Sequence, residues 1–325
     1  MIQLTIILPC YNSEKYIYQS IISILNQTFK NFKLIIINDG STDNTLKIIK
    51  SFKDKRIKLI NNKGNKGLIY SLNKGISQAN SIYLARMDGD DISERNRLKQ
   101  QINFLNKHPT VHVIGSAVNL IDKHSNKIQT TTYPSDDYLI KWKMLFSCPI
   151  AHPSVMMRSS IFKKINGYNY KYKLAEDYYL WSRLFLEDKK FYNLNYPLLN
   201  LRKHDENITE KNLAFHINQS LKISKNLISN FINVKSHNLN QELLKCLFTN
   251  GKFGGKKSNH ALEIIEVLIF KYQKKYQKKL KKNEIFKLKK EALVMMVKIY
   301  LRNLLIINPF LFIKCSFNVI FNRPN

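Results

Sequence analysis

The chain has 325 residues, 44% of them hydrophobic, enough for a large packed core and against a disordered chain. Its 53 Lys and Arg stand against 23 Asp and Glu, a formal net charge of +30, so its partners are expected to be polyanions: phosphorylated substrates, anionic lipid or nucleic acid. The four cysteines (Cys10, Cys148, Cys246, Cys315) are widely spaced and form no CxxC, which argues against a disulfide framework or a zinc site and suits a reducing cytoplasm.

LTIIL (4–8) reads as a buried strand, and no basic stretch precedes it, so a signal peptide is not expected. SEKYIYQSIISIL follows with helical spacing and Ser13 as N-cap. KLIIIND is a second strand, and STDNTLKIIKSF a helix opened by Ser41 or Thr42. IKLI (57–60) is a third strand, LIYSLNKGISQA a helix and IYLARMD a fourth strand. Strands that are apolar throughout, alternating with helices, predict an α/β fold with a parallel sheet covered on both faces over residues 1–115.

Three polar clusters fall just past strand ends: PCYNSE, NDGSTDN and MDGDD. Ligands of open parallel sheets bind outside the carboxyl ends of the strands, so Tyr11, Asp39 and the acids Asp88, Asp90 and Asp91 should converge on one cleft. Each cluster alone could be a solvated loop. Three acids within four residues are tolerable if a hard divalent cation, Mg²⁺ or Mn²⁺, lies among them and bridges to a substrate diphosphate.

With these motifs in order, the chain resembles the family 2 glycosyltransferases. The segments that carry the likeness are ILPCYNSEKYIYQSIISILNQTF, LIIINDGSTDNT, NKGLIYSLNKGI and YLARMDGDDISERNRLKQQINFL, then CPIAHPSVMMR and NGYNYKYKLAEDYYLWSRL, over residues 1 to 210. The resemblance implies the GT-A fold, a Rossmann-like and mostly parallel sheet, and inverting sugar transfer from a nucleotide-diphosphate donor in bacterial surface polysaccharide synthesis. It implies that Pro9 and Tyr11 line the base pocket, with the Tyr11 ring stacked on the base, and that Asp39 accepts a hydrogen bond from it. Asp88 and Asp90 form the DxD element near ribose and metal, with Asp91 a further metal ligand. Arg86 and Arg97 flank the cluster and can neutralise phosphate. UDP is favoured over other nucleotides only by family habit. One departure is Leu72-Asn73, where many relatives carry Arg or Lys before the Asn; Lys66 or Arg86 could supply that phosphate contact.

Residues 116–210 are expected to hold the acceptor-binding and catalytic half. Inverting transfer needs a base for the acceptor hydroxyl. In KLAEDYYLWSRLFL, Glu176 and Asp177 fall in the first turn of a helix that is apolar almost all round, where the helix dipole favours ionised carboxylates. The family's ED motif matches them, which implies Asp177 as base with Glu176 supporting. Acids at helix starts are also common for stability alone. His204, in LNLRKHDENIT, resembles an R-x-H segment whose His reaches metal or diphosphate; His152, in CPIAHPSV, lies in a segment the family places near the acceptor.

Residues 211–325 read as a helical, Lys-rich extension. Positions 271–290 hold ten lysines and one acid, Glu284, and read as a cationic helix. The apolar stretch that follows is broken by Lys298, Arg302, Asn303, Pro309 and Lys314, too short of uncharged residues to span a bilayer. It is expected to lie on an anionic membrane surface, making the enzyme peripheral at the inner face of the cell membrane, or else to pack as an ordinary helical appendage with a solvated face. A lipid-linked sugar acceptor would suit a membrane location. Nucleic acid is not expected as a partner, for no helix-turn-helix, RNP or zinc-finger pattern is present. A nucleotidyltransferase would carry a glycine-rich phosphate loop where PCYNSEKY has none, and a glycosidase needs no nucleotide pocket. A catalytically inactive GT-A scaffold, or a basic nucleic-acid- or membrane-binding protein, is the alternative.

Overall fold

A computed structural model describes residues 2–205, 207–233, 258–276, 279–302 and 309–321. The first half alternates as the sequence predicts: β1 (Leu4–Cys10), α1 (Ile17–Leu25), β2 (Phe32–Asn38), α2 (Thr45–Ser51), β3 (Ile57–Asn61), α3 (Leu68–Ser77) and β4 (Tyr83–Arg86). Then come β5 (Ile92–Ser93), α4 (Arg97–Lys107), β6 (Val113–Ile121), β7 (Lys127–Thr131), α5 (Asp137–Met144), β8 (Met156–Arg158) and α6 (Phe162–Ile165). α7 (Glu176–Leu186), β9 (Phe191–Arg202), α8 (Ile208–Lys211) and α9 (Leu213–Ile232) follow.

The described strands form one nine-stranded sheet in the order β3-β2-β1-β4-β8-β6-β9-β5, with β7 paired to β6. β3, β2, β1 and β4 run parallel. From β8 onward the sheet is mixed: β8 is antiparallel to β4 and β6, and β9 is parallel to β6. The parallel character predicted from the uniformly apolar strands therefore holds for the first half only. The core follows from the same residues. Every side chain of β1 is buried, and Leu4, Ile6 and Leu8 pack with Ile17 and Ile21 of α1 and with Leu98 of α4. Pro9 lies past the last β1–β4 pair, Ile7 with Arg86, so its missing N–H costs no ladder bond on that edge.

Helix starts differ from expectation. α1 opens at Tyr16, with Ser13 one turn earlier accepting the Tyr16 and Ile17 amides through its carbonyl. α2 opens at Asn44, and Asp43 Oδ1 takes the Thr45 amide at 3.0 Å, while Ser41 and Thr42 serve a neighbouring loop instead.

Two compact units are present, residues 1–140 with 149–216, and residues 141–148 with 217–325. In the second unit lie α10 (Ser258–Tyr276), α11 (Lys282–Arg302) and α12 (Pro309–Phe321). The Lys-rich segment predicted as one cationic helix is thus two, because α10 ends at Tyr276 and a turn precedes α11. Buried Tyr272 and Tyr276 lay the first turns of that segment against the helical core, with Trp142 edge-on to Tyr272 at 5.6 Å. Among the described residues no helix is long and apolar enough to cross a membrane. Asn303, Cys246 and positions 277–278 of the Lys-rich segment lie outside the described residues.

Candidate active site

The three polar clusters stand at the carboxyl ends of β1, β2 and β4, which are neighbours in the sheet. The first two are joined to each other. Asn12 adopts a left-handed φ of 47°, donates its amide to Ser41 Oγ at 3.0 Å and accepts from the Thr42 amide at 2.9 Å. Ser13 N donates to Thr45 Oγ1 at 2.7 Å, and Glu14 Oε2 accepts from the amide of Asn44 at 2.9 Å. These bonds tie the two loops together, and Tyr11 beside them is 42% exposed. Asp39 is 4% exposed and already bonded: Oδ1 accepts from Asn62 Nδ2 (2.7 Å) and the Lys66 amide (3.0 Å), and Oδ2 from the Gly67 amide (2.7 Å). A carboxylate offers about four acceptor positions, so one at Oδ2 remains for a ligand. The Lys66 residue named for phosphate thus contributes its main chain to Asp39.

The acidic cluster forms where β4 ends and β5 has not yet begun. Ser20 Oγ of α1 donates to the Asp88 carbonyl at 2.7 Å, and Arg86 pairs with the Asp88 carboxylate. One oxygen each of Asp88, Asp90 and Asp91 lies within 4.8 Å of the others. Asp91 is 2% exposed; its Oδ1 accepts the Arg202 amide at 2.9 Å, and its Oδ2 is buried with no hydrogen-bond partner. Desolvation, then the neighbouring charges of Asp90 and Asp88, push the Asp91 carboxyl well above the usual carboxylate range. Asp88 is pushed up to about 6, mainly by desolvation and against the pull of Arg86. A buried carboxylate oxygen with no donor, facing two more acids, is a costly arrangement that a divalent cation relieves. The donor set is all oxygen plus one imidazole, which fits Mg²⁺ or Mn²⁺.

The imidazole is that of His204, whose Nε2 lies 3.0 Å from Asp90 Oδ2. β9 brings it there, and Arg202 at the end of β9 fixes the loop. The Arg202 side chain is buried, donating from Nε to the Asp90 carbonyl (2.8 Å), from Nη1 to the Asp122 carbonyl (3.0 Å) and from Nη2 to Gln19 Oε1 (2.9 Å). Its guanidinium also lies over the Tyr16 ring at 4.5 Å. Arg202 is the Arg of the R-x-H segment quoted for His204, and that motif by itself gives it no role of its own.

Opposite these loops stands the start of α7. Its buried face (Tyr178, Leu180, Trp181, Leu184, Phe185) follows from the near-continuous apolar run. Glu176 and Asp177 occupy the first turn as predicted, but the expectation that both stay ionised does not hold for Glu176. Burial, then the charge of Asp177, lift Glu176 to about 7, outweighing the main-chain hydrogen bond that lowers it. The charge of Asp177 acts on Asp88, and Glu176 on Tyr168, so the second half of the chain does meet the first.

Two expected contacts are placed differently. Arg97 is fully buried beneath the cluster, donating to the Arg86 carbonyl at 2.7 Å and to Gln101 Oε1 at 3.3 Å. It reaches no surface where a phosphate could sit, because α4 turns Arg97 and Gln101 inward on the face that carries Leu98 and Leu105. Its charge acts through the cluster: burial pulls its pKa down and Asp91 holds it up. His152, named for the acceptor, is 7% exposed with Nε2 2.7 Å from Tyr168 Oη. Burial, then the charge of Arg86, hold it well below the ordinary histidine value, so it is a neutral ring inside the protein. Arg86 keeps its charge despite burial, because Asp88, Asp91 and Tyr168 surround it.

The comparisons with known proteins agree with this geometry. Residues 5–166 match the profile described as Glycosyl transferase family 2. The putative glycosyltransferase EpsE of Bacillus subtilis (strain 168) is 34% identical over 67% of this chain and 80% of its own length. The UDP-Glc:alpha-D-GlcNAc-diphosphoundecaprenol beta-1,3-glucosyltransferase WfgD of Escherichia coli is 31% identical over 59% of this chain and 72% of its own. Among solved structures, S. aureus TarS 1–349 in complex with UDP-GlcNAc superposes with a TM-score of 0.58 at 17% identity, covering 98% of this chain and 90% of that one. A mixed sheet with strand-end acids and an ED helix start defines a glycosyltransferase of GT-A type. The chain belongs to glycosyl transferase family 2.

Proposed function

We propose that this glycosyltransferase moves a hexose or N-acetylhexosamine from a UDP-sugar to a hydroxyl of a lipid-linked glycan, with inversion, in surface polysaccharide synthesis. The observation that carries the metal-dependent donor site is the unpartnered, buried Asp91 Oδ2 facing Asp88 and Asp90. The UDP-sugar and the diphospholipid acceptor are supported by what the names of TarS and WfgD say of those proteins.

Tyr11 would stack on the base, with Pro9 under it and the remaining Oδ2 position of Asp39 accepting from it. Asp88, Asp90, Asp91 and His204 would hold Mn²⁺ or Mg²⁺. When bound, that ion supplies positive charge against the departing nucleoside diphosphate. Arg86 adds a second positive charge from within the protein, and Arg97 below it balances the acids. Asp177 takes the proton of the acceptor hydroxyl as its oxygen bonds to the anomeric carbon and the bond to the diphosphate oxygen breaks. Glu176, protonated up to about pH 7, keeps a second negative charge away from Asp177 and so from the developing diphosphate. His152 and Tyr168 hold the acceptor side of the cleft in shape. The basic C-terminal region would meet an anionic membrane, where lipid-linked acceptors reside.

The test is transfer of labelled sugar from a UDP-sugar panel to a short polyprenyl-diphosphate-linked GlcNAc, with Mn²⁺ present. Transfer from at least one donor is expected. Asp177→Asn should lower kcat by roughly 100-fold or more while leaving UDP affinity unchanged. Wild-type turnover in Asp177→Asn would remove the assigned base, and no transfer from any donor would remove the reading.

A further inference from the structure

The helices of the C-terminal unit expose apolar side chains where a solvated helix would carry polar ones. On α11, at 100° per residue, Leu288, Ala292, Met295, Met296 and Ile299 share one buried arc. The opposite arc carries Lys282, Lys287, Lys290 and Lys298, all exposed. Interleaved with them are Phe286 at 69% exposure and Leu301 at 60%, with Val294 between. The acid on that arc, Glu291, stands at its edge. α12 repeats the arrangement at i, i+4 and i+7: Ile313 (61%), Phe317 and Ile320 are exposed beside exposed Lys314, while Cys315 and Val319 face inward. The two helices touch, and Lys289 Nζ donates to the Ile320 carbonyl at 2.6 Å.

We infer that the outer face of α11, with Phe286, Val294 and Leu301 set among Lys282, Lys287, Lys290 and Lys298, and the exposed stripe of α12 dock on an anionic lipid bilayer. An ordinary solvated face would need no exposed Phe, and a protein-binding groove would not set four lysines among its apolar contacts. Apolar side chains reach the acyl boundary while lysine stems lie along it and their ammonium groups meet lipid phosphates. No helix described here crosses the bilayer, so the face lies on the surface. This deepens the reading that the C-terminal region meets a membrane, and it stands apart from the donor chemistry.

The experiment is sedimentation of the full-length protein with vesicles of phosphatidylcholine, with and without 30 mol% phosphatidylglycerol, a ~ one-third anionic surface of the kind that attracts basic segments. Binding to the anionic vesicles that weakens with salt is expected. Lys282→Gln/Lys290→Gln/Lys298→Gln should weaken it by roughly 100-fold, at about fivefold per lysine. Phe286→Ser/Leu301→Ser should weaken it while keeping the salt dependence. UDP binding, measured in parallel, reports folding and stays at wild-type strength in all variants; its loss in the wild type would fault the donor site rather than this face. Equal binding to neutral vesicles, unchanged binding of the lysine variant, or a wild type that self-associates without sedimenting with vesicles would each overturn the inference.

Discussion

At Arg202 one buried guanidinium joins the main chain of the acidic loop, at Asp90, to two other segments: Asp122 with Ser125, and Gln19 of α1. Its own amide donates to Asp91 Oδ1, so Arg202 fixes two of the three acids without joining their cluster. Residues that orient metal ligands typically control affinity by about 10- to 100-fold when changed. Arg202→Lys keeps a charge but loses the planar fork. We expect it to weaken Mn²⁺ binding by about 10-fold or more, read from the free Mn²⁺ signal in electron paramagnetic resonance, with metal-free UDP binding retained. Unchanged Mn²⁺ affinity would reduce Arg202 to a loop staple. Glu176 gives a second test at this scale. It titrates near 7 folded against 4.5 for the free side chain, so the folded protein binds the extra proton between those values. That contribution to stability is fully present below pH 4.5 and is lost as pH rises through about 7. Its span is on the order of 3 kcal/mol. Glu176→Gln cannot lose a proton, so its thermal stability should fall less than the wild type's between pH 5 and pH 8. Parallel slopes for the two proteins would show that Glu176 is ionised throughout.

Helix α3 shows how an element positions a site it barely enters. It packs on the sheet through Gly75, where an added Cβ would come within 2.7 Å of Ile7 Cγ2 and 2.9 Å of Ile37 Cδ1. From its other side Asn73 grips the loop before the ED helix: Nδ2 donates to the Tyr168 carbonyl (2.9 Å) and Oδ1 accepts the Tyr168 amide (2.8 Å). Gly167 beside it has φ +74° and no room for a Cβ. Gly75→Ala should therefore destabilise the protein by about 1–3 kcal/mol through overpacking, measured by urea unfolding. A neutral or stabilising result would mean α3 can lift without cost. The Leu72-Asn73 departure noted in the sequence has its meaning here. Asn73 is a latch between two halves of the domain, and no single-sequence pattern shows that, because its partner lies 95 positions away. The strands β1 to β4 and the ED helix were legible because each is specified by its own apolar spacing. Arg97 was not: a charged residue near acids suggests a ligand contact, and only its sharing a face with Leu98 and Leu105 hints that it points inward. The single cationic helix expected over 271–290 failed for a related reason, since lysine stems and buried Tyr272 and Tyr276 both satisfy helical spacing and composition alone does not show the turn.

At the scale of the molecule, the charge of +30 is spread unevenly in its consequences. Around the acidic cluster the positive groups are few and internal, Arg86, Arg97 and Arg202, and each balances a named acid or carbonyl. The exposed lysines of α11, Lys282, Lys287, Lys290 and Lys298, outnumber the one exposed acid on their arc, Glu291. A basic protein with an acidic cleft is what a transferase needs if its donor diphosphate arrives with a divalent ion and its acceptor waits at an anionic surface. The role proposed for Asp88, Asp90 and Asp91 is a metal-dependent site for a nucleoside diphosphate. It is tested most directly by calorimetric titration of UDP, with GDP and dTDP as comparisons, with and without Mn²⁺, into the wild type and Asp90→Asn/Asp91→Asn. UDP binding that Mn²⁺ strengthens at least about 10-fold in the wild type, about 1.4 kcal/mol, is expected, with the Mn²⁺ effect lost in the double variant. UDP binding of equal strength with and without Mn²⁺, or a double variant that responds to the metal as the wild type does, would contradict it.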